Sequence, residues 1–375
     1  MKILLVGEYS NLHNSLKQGL AALGHDVKIL GLNDGFKNIP VDLKIKKKYD
    51  SGFLKFLKNG IYKVFKIDLH SLSVKKQILK FQNEIKGYDI VQFINETSFL
   101  CLPKTEKEIF NFLKKNNKKT FLLSCGTDHI SIKHAHDGLF KYSILTPYLN
   151  GETDYDPALK YLDNAHTNLH NHIYNNVSGV IASDIDYHIP LVGNEKYLGM
   201  IPNPINVELL PFNPINIKDK INIFHGINLT SKIRKGNVFF EKALTIIQDK
   251  YPNKVAIKTT QNIPYKEYIK IYDEAHILLD QVYGFDQGYN ALEAMAKGKV
   301  VFTGAESEWL QHYNLKEDTV VINALPNVDY LVQKLEWLIL NPKKITEISI
   351  NARQFVEREH HYITSAKEYV QIWTN

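Results

Sequence analysis

A chain of 375 residues exceeds the usual size of one hydrophobic core, so two domains are expected. Its 44% hydrophobic and 23% charged residues, with a net charge of only +6, are those of an ordinary globular protein rather than a disordered or membrane-spanning one. Two cysteines, Cys101 and Cys125, without zinc-type spacing, exclude a disulfide scaffold and point to a reducing compartment.

Met1–Gly7 is too short for a signal-peptide core because Glu8 follows at once, and no stretch approaches about eighteen uncharged apolar residues. A cytoplasmic location is therefore expected. The chain opens in α/β alternation: strand Lys2–Val6, a helix carrying Leu12, Leu16, Leu20 and Leu23 on one face until Gly24, then strand Asp26–Leu30. Eleven lysines fall between Asp42 and Lys80, against three aspartates, and Phe53, Leu54, Phe56, Leu57, Val64 and Phe65 are interleaved with them. Two readings stand: an amphipathic segment, centred on residues 44–66, drawn to an anionic membrane at the inner face, or a solvated helix packed on its own domain. No nucleic-acid-binding module accompanies the patch, so no nucleic-acid partner is expected.

Strand Tyr88–Phe93, helix Thr105–Lys115 and strand Thr120–Ser124 follow. Residues 126–156 read as a long irregular loop, a feature that compact domains reserve for function. Strands resume at Gly179–Ala182 and Tyr197–Ile201. Pro202, Pro204, Pro211 and Pro214 then interrupt regular structure and place a domain boundary. Alternation restarts with strand Ile221–Phe224, helix Gly236–Asp249, strand Val255–Thr259, helix Tyr265–Glu274, strand Ile277–Leu279, helix Tyr289–Lys297 and strand Val300–Thr303. An edge strand at Thr319–Ile322 and helices Val328–Leu340, Ile345–Arg358 and Thr364–Trp373 finish the chain. The fold class is α/β, with two doubly wound Rossmann-like domains, 1–203 and 204–358, facing a cleft. Ligands bind beyond the C-terminal strand ends of such sheets.

The strongest candidate site runs from Asp280 to Gly298. A buried strand, a glycine-bearing loop with Asp286 and Gly288, and a helix opening at Tyr289 and Asn290 offer unpaired amides and a favourable dipole to a phosphate. Glu293, one turn in, suits ribose hydroxyls. After the strand ending in Phe224-His225-Gly226 come Arg234 and Lys235, two cations at a helix start, where they oppose the dipole unless an anion sits between. In the first half, the Gly7–His13 turn lacks a dinucleotide fingerprint and offers Asn11 and His13, with helix capping as the plainer role for the asparagine. Asp128 and His129, on a glycine turn at a strand end, have the placement of an acid–base pair, or of an Asx turn beside an exposed histidine. His134, His136 and Asp137 do not supply convergent ligands, so no metal site is expected.

Ile201-Pro-Asn-Pro-Ile205, Arg234-Lys235-Gly236 and Leu292-Glu-Ala-Met-Ala-Lys-Gly298, in this order, resemble the GT-B glycosyltransferases, most closely the retaining family-four group that builds bacterial surface polysaccharides. The resemblance implies a nucleotide-diphosphate-sugar donor, a glycan or lipid-linked acceptor, no cofactor, metal independence, and a C-terminal segment (359–375) crossing back to the first domain. It implies that Lys235 and Arg234 neutralise the leaving diphosphate, that Glu293 holds the ribose, and that the amides of Gly288 and Tyr289 approach the donor. His225, Gly226, Asn290, Asn11 and His13 would line the donor site, with Asp128 and His129 serving the acceptor and the transferred sugar. One departure stands out. The family's first glutamate falls on Phe285, leaving Asp286 or Asp280 to reach the sugar hydroxyls. A sugar-nucleotide epimerase or hydrolase and a non-catalytic nucleotide- or glycan-binding protein are the rival readings.

Overall fold

The computed structural model describes residues 1–32, 37, 39–49 and 51–375. The first seven strands are β1 (Lys2–Val6), β2 (Asp26–Leu32), β3 (Leu43–Ile45), β4 (Ile90–Phe93), β5 (Lys119–Ser124), β6 (Gly179–Ala182) and β7 (Tyr197–Met200). They form one parallel sheet in the order β3-β2-β1-β4-β5-β6-β7. The second sheet contains β8 (Ile221–Ile227), β9 (Val255–Gln261), β10 (Ile277–Leu279), β11 (Val300–Thr303) and β12 (Ile322–Asn323), ordered β12-β11-β10-β8-β9, and is also parallel. Central strands such as β4, β6, β10 and β11 are buried at every position, because helices cover both faces of a parallel sheet. Strand order reverses between β1 and β4 in one sheet and between β8 and β10 in the other, so crevices open beyond those strand ends.

Helix Tyr362–Thr374 leaves the second domain and packs on helix Leu12–Ala22 of the first. Gly19 permits the close approach, since a Cβ there would lie 2.2 Å from the Tyr362 carbonyl oxygen. Trp373 is buried, donates from Nε1 to Gln92 Oε1 at 3.1 Å, and stacks near Phe121. At the crossing, the Ile205 amide donates to the His360 carbonyl at 2.7 Å and the Tyr362 amide to the Ile205 carbonyl at 3.2 Å.

Two expectations need correction. Residues 126–156 are not an irregular loop: helices His129–His136 and Thr146–Leu149 lie there, and a 3₁₀ turn, Pro157–Leu162, follows. Ile132, Ala135, Leu145, Ala158 and Tyr161 make a small core of their own beneath it. These helices are too short to show a clear period, and Asp128 and Asp156 cap the first and the last of them. Of the two readings of the basic segment, the packed helix is the one not met: after β3, whose Leu43 and Ile45 are buried, the segment turns outward. It forms helix Gly52–Phe65, in which no residue is buried.

Candidate functional site

A cavity of about 370 Å³ lies where the C-terminal edges of the two sheets face each other. Its first-domain wall includes Tyr9 and Ser10 after β1, Gly126 and Thr127 after β5, and Ser183 and Asp184 after β6. The opposite wall includes Arg234 and Lys235 after β8, and Asp286, Gly288 and Tyr289 after β10. Ser10 and Asn11 are consecutive non-glycine residues with φ of 55° and 83°, a costly backbone that functional turns retain.

The cationic loop is braced against the loop beside it. It closes on Gly236, whose φ is 64° and whose absent Cβ would meet Val282 Cγ2 at 2.2 Å. The Val282 amide donates to the Lys235 carbonyl at 3.1 Å, and Lys235 Nζ donates to Asp280 Oδ1 at 2.7 Å. Arg234 forks onto Asp156 of the first domain, with Nε 2.8 Å from Oδ2 and a second bond from the guanidinium to Oδ1. Both cations therefore reach the cavity already balanced by a carboxylate. A diphosphate entering there would compete with Asp280 and Asp156 for them.

Helix Tyr289–Ala296 starts at Gly288 without a side-chain cap, and its first residues line the cavity. Amides at an uncapped helix start suit an anion. The Tyr289 hydroxyl reaches across to the first domain, 2.8 Å from Ser15 Oγ and 3.0 Å from the Pro204 carbonyl. Glu293 lies outside the cavity lining and accepts from Lys37 Nζ at 2.6 Å. Lys37 also sits 5.8 Å from the Tyr289 ring, so Glu293 is at the margin of the same site, behind that ring.

A second cross-cleft clasp is built from acids. Asp286 Oδ2 accepts from the Ile185 amide at 2.9 Å, while Asp186 accepts from the Phe285 amide at 3.0 Å and the Asp286 amide at 3.1 Å. Burial, reinforced by Asp186, pushes the Asp286 carboxyl up to about 8; burial takes Asp186 up to about 6. Asp184 is held well above the carboxylate range by burial and by these two neighbours. Asp286 is thus committed to the domain contact, although it still lines the cavity. Phe285 stands where a glutamate was expected, and it packs between Phe140 and Tyr142, with ring centroids at 5.3 and 5.5 Å. Tyr142 in turn hydrogen-bonds Glu306, which also binds Lys141 at 3.0 Å and Asn323 at 2.8 Å.

Several candidate side chains lie behind the cavity wall. Asp128 caps helix His129–His136: it accepts from the Ser131 amide at 2.9 Å and from the Ser124 hydroxyl, and it is buried away from the lining. His129 is not exposed. Its Nδ1 lies 2.7 Å from the Tyr161 carbonyl and its ring 4.5 Å from His170, which contacts Glu96 at 2.5 Å. His13 is fully buried with Nδ1 2.8 Å from the Gly7 carbonyl, and burial lowers it to about 4. Asn11 does not cap its helix by its side chain; Glu8 accepts from the Asn11 and Asn14 amides instead. His225 is buried within β8 and likewise lowered to about 4 by burial. Gly226 lies under Tyr268, whose ring a Cβ would meet at 2.6 Å, and Asn290 accepts from the Tyr268 hydroxyl at 3.4 Å. The structure therefore groups Arg234, Lys235, Asp286, Gly288 and Tyr289 at one cavity. It sets Asn290 and Glu293 next to that cavity, and Asn11, His13, His225, Gly226, Asp128 and His129 outside its lining.

Asp156, Asp184, Asp186 and Lys37 were not singled out from the sequence. Asp184 follows β6, so its strand-end position was an available signal. Asp156 reads as a helix cap before Pro157, a role it also fills by accepting from the Ala158 amide at 2.7 Å. Among the described residues, no group of three His, Cys, Asp or Glu side chains is placed to hold a metal.

Residues 229–371 match a family model described as glycosyl transferase-like. Sucrose-phosphate synthase of Thermosynechococcus elongatus superposes with a TM-score of 0.63 at 15% identity, covering 100% of this chain and 98% of that one. HepE of Anabaena, in complex with UDP and glucose, gives 0.59 at 14%, with 100% and 99% covered. A glycosyltransferase from Rickettsia africae gives 0.53 at 14%, with 99% and 97% covered. No curated protein sequence matches the chain significantly. The fold is GT-B, and the glycosyl transferase-like segment is the one that carries Arg234, Lys235 and Glu293.

Proposed function

We propose that this GT-B protein transfers a sugar from a nucleotide-diphosphate donor to a glycan or lipid-linked acceptor in surface polysaccharide synthesis. The observation that carries the reading is the convergence of Arg234, Lys235 and the uncapped helix start at Gly288 on one interdomain cavity. Departure of a nucleotide diphosphate builds negative charge on the leaving phosphate, and preorganised cations and amides in a partly enclosed site stabilise such charge most strongly. Lys235 and Arg234 carry that task here, without a divalent cation. Glu293 binds the ribose once Lys37 withdraws from it.

The sugar lies between the walls, among Ser183 and Asp184 of the first domain and Asp286 of the second. At neutral pH a carboxyl held near 8 is largely protonated, so Asp286 can donate to a sugar oxygen as well as accept. Phe285 takes the place of an acceptor and buries its ring between Phe140 and Tyr142, behind the cavity lining. Transfer with retention at the anomeric carbon is the stereochemistry we assign. UDP-sugars are the first donors to test, because the HepE complexes contain UDP and UDP-glucose.

The experiment is incubation of the purified chain with a panel of UDP- and other nucleotide-sugars, with and without glycan acceptors, in the presence of EDTA. Acceptor-dependent release of nucleotide supports the proposal. Free sugar or an epimer formed from donor alone supports the hydrolase or epimerase reading, and binding without turnover supports a nucleotide-binding protein.

A further inference from the structure

Helix Gly52–Phe65 carries an apolar surface that the donor site does not absorb. At about 100° per residue, Phe53, Leu54, Phe56, Leu57, Val64 and Phe65 share one half of its circumference. Lys55, Lys58, Lys63 and Lys66 occupy the other half. Phe53 and Phe56 are each 75% exposed, Val64 71% and Phe65 66%. Leaving aromatic side chains in water is unfavourable, and a contiguous patch of them marks a contact surface.

Two acids of this region, Asp42 and Asp68, are committed elsewhere. Asp42 is taken by Lys17 and by the Ile29 amide, and Asp68 caps the next helix through Ser71. Among the described residues, Lys44, Lys46, Lys47, Lys55 and Lys63 make no side-chain ion pair. The surface is therefore apolar on one side and positive on its flanks and approach.

We propose that helix Gly52–Phe65 lies in the plane of an anionic lipid surface, its aromatic half in the acyl boundary and its lysines among the headgroups. Charge complementarity selects this occupant. A second copy of the chain would bring two sets of lysines together. A neutral apolar partner would leave them unused. The helix is about 21 Å long, enough to immerse all four turns side-on. It belongs to the first domain, whereas the cationic loop belongs to the second.

The test is co-sedimentation of the full chain with phosphatidylcholine vesicles, with and without phosphatidylglycerol. Binding to the anionic vesicles alone, weakened by salt, is expected. Lys55→Gln with Lys63→Gln should weaken it roughly thirtyfold, since each basic residue near the surface contributes about one power of five. Phe53→Ser with Phe56→Ser should abolish it, with unchanged thermal unfolding showing that the fold is intact. Equal binding to neutral vesicles, or no binding to anionic ones, would overturn the proposal. So would a dimer that Phe53→Ser with Phe56→Ser dissociates, which would show that a second copy covers the face.

Discussion

The two walls of the cleft differ in charge: among the described residues, Arg and Lys side chains line only the second-domain wall, which also carries Asp286. The second-domain wall presents Arg234, Lys235 and a bare helix start, whereas the first-domain side presents Asp156 and Asp184 with Asp186 beside them. The difference shows how a cleft closes without ligand: Arg234 takes Asp156 from across the gap, Lys235 takes Asp280 of its own domain, and Asp186 and Asp286 each clasp backbone amides of the opposite side. It also assigns the walls. On the proposed reading, a diphosphate suits the wall that carries both cations and the bare helix start, and a neutral, hydroxyl-rich sugar suits the side where acids and amides alternate.

Breaking the cationic wall should have the largest effect. Lys235→Ala should lower kcat/KM about a hundredfold to a thousandfold, the usual cost of losing one preorganised charge-stabilising donor, while circular dichroism stays unchanged. Next comes Glu293→Ala, which should weaken nucleotide binding about tenfold by calorimetry, in the range of a charge-assisted hydrogen bond less the Lys37 pair that binding must break.

The acid wall gives a pH dependence. His13, His225 and His360, each lowered to about 4 by burial, bind protons more readily when unfolded, so stability rises as pH climbs from about 4 to 6.5. Asp286 is raised to about 8 and has the opposite sign: the folded state holds its proton, so stability falls as pH rises from about 3.8 to 8. Glu106, also raised to about 8 by burial, acts in the same sense. Above pH 6.5 only the acids remain in play, and unfolding free energy should drop between pH 6.5 and 8. Asp286→Asn should remove about 1.4 kcal/mol per pH unit from that slope in scanning calorimetry, or leave it unchanged if the clasp is ionised throughout.

The smallest effect sharpens the comparison most. Asp156→Asn should tighten nucleotide binding about twofold to fivefold by freeing Arg234, in line with the modest worth of a partly exposed ion pair. Weaker binding would mean that Asp156 positions Arg234 rather than competing for it.

Much of the architecture was legible because parallel strands are continuous apolar runs. β1, β6, β10 and β11 stand where Lys2–Val6, Gly179–Ala182, Ile277–Leu279 and Val300–Thr303 place them. The cationic loop was legible as well, because two cations ahead of a helix conflict with its dipole. What the pattern hid were features set by distant partners. Asp128 and Asn11 have the residue types of caps and of catalysts alike, and only the geometry shows that Asp128 caps and that Glu8, not Asn11, serves the first helix. Asp156 reached Arg234 through a small helical core that eight-residue helices do not advertise. Helix Gly52–Phe65 carried an unmistakable amphipathic pattern, but periodicity says which face is apolar and not what covers it.

A crystal structure with UDP bound tests the central claim most directly. The account predicts diphosphate oxygens about 3 Å from Lys235 Nζ and from the amides at Gly288 and Tyr289, Lys235 released from Asp280, and ribose hydroxyls on Glu293 in place of Lys37. A nucleotide lodged elsewhere, with the Lys235–Asp280 and Lys37–Glu293 pairs intact, would contradict it.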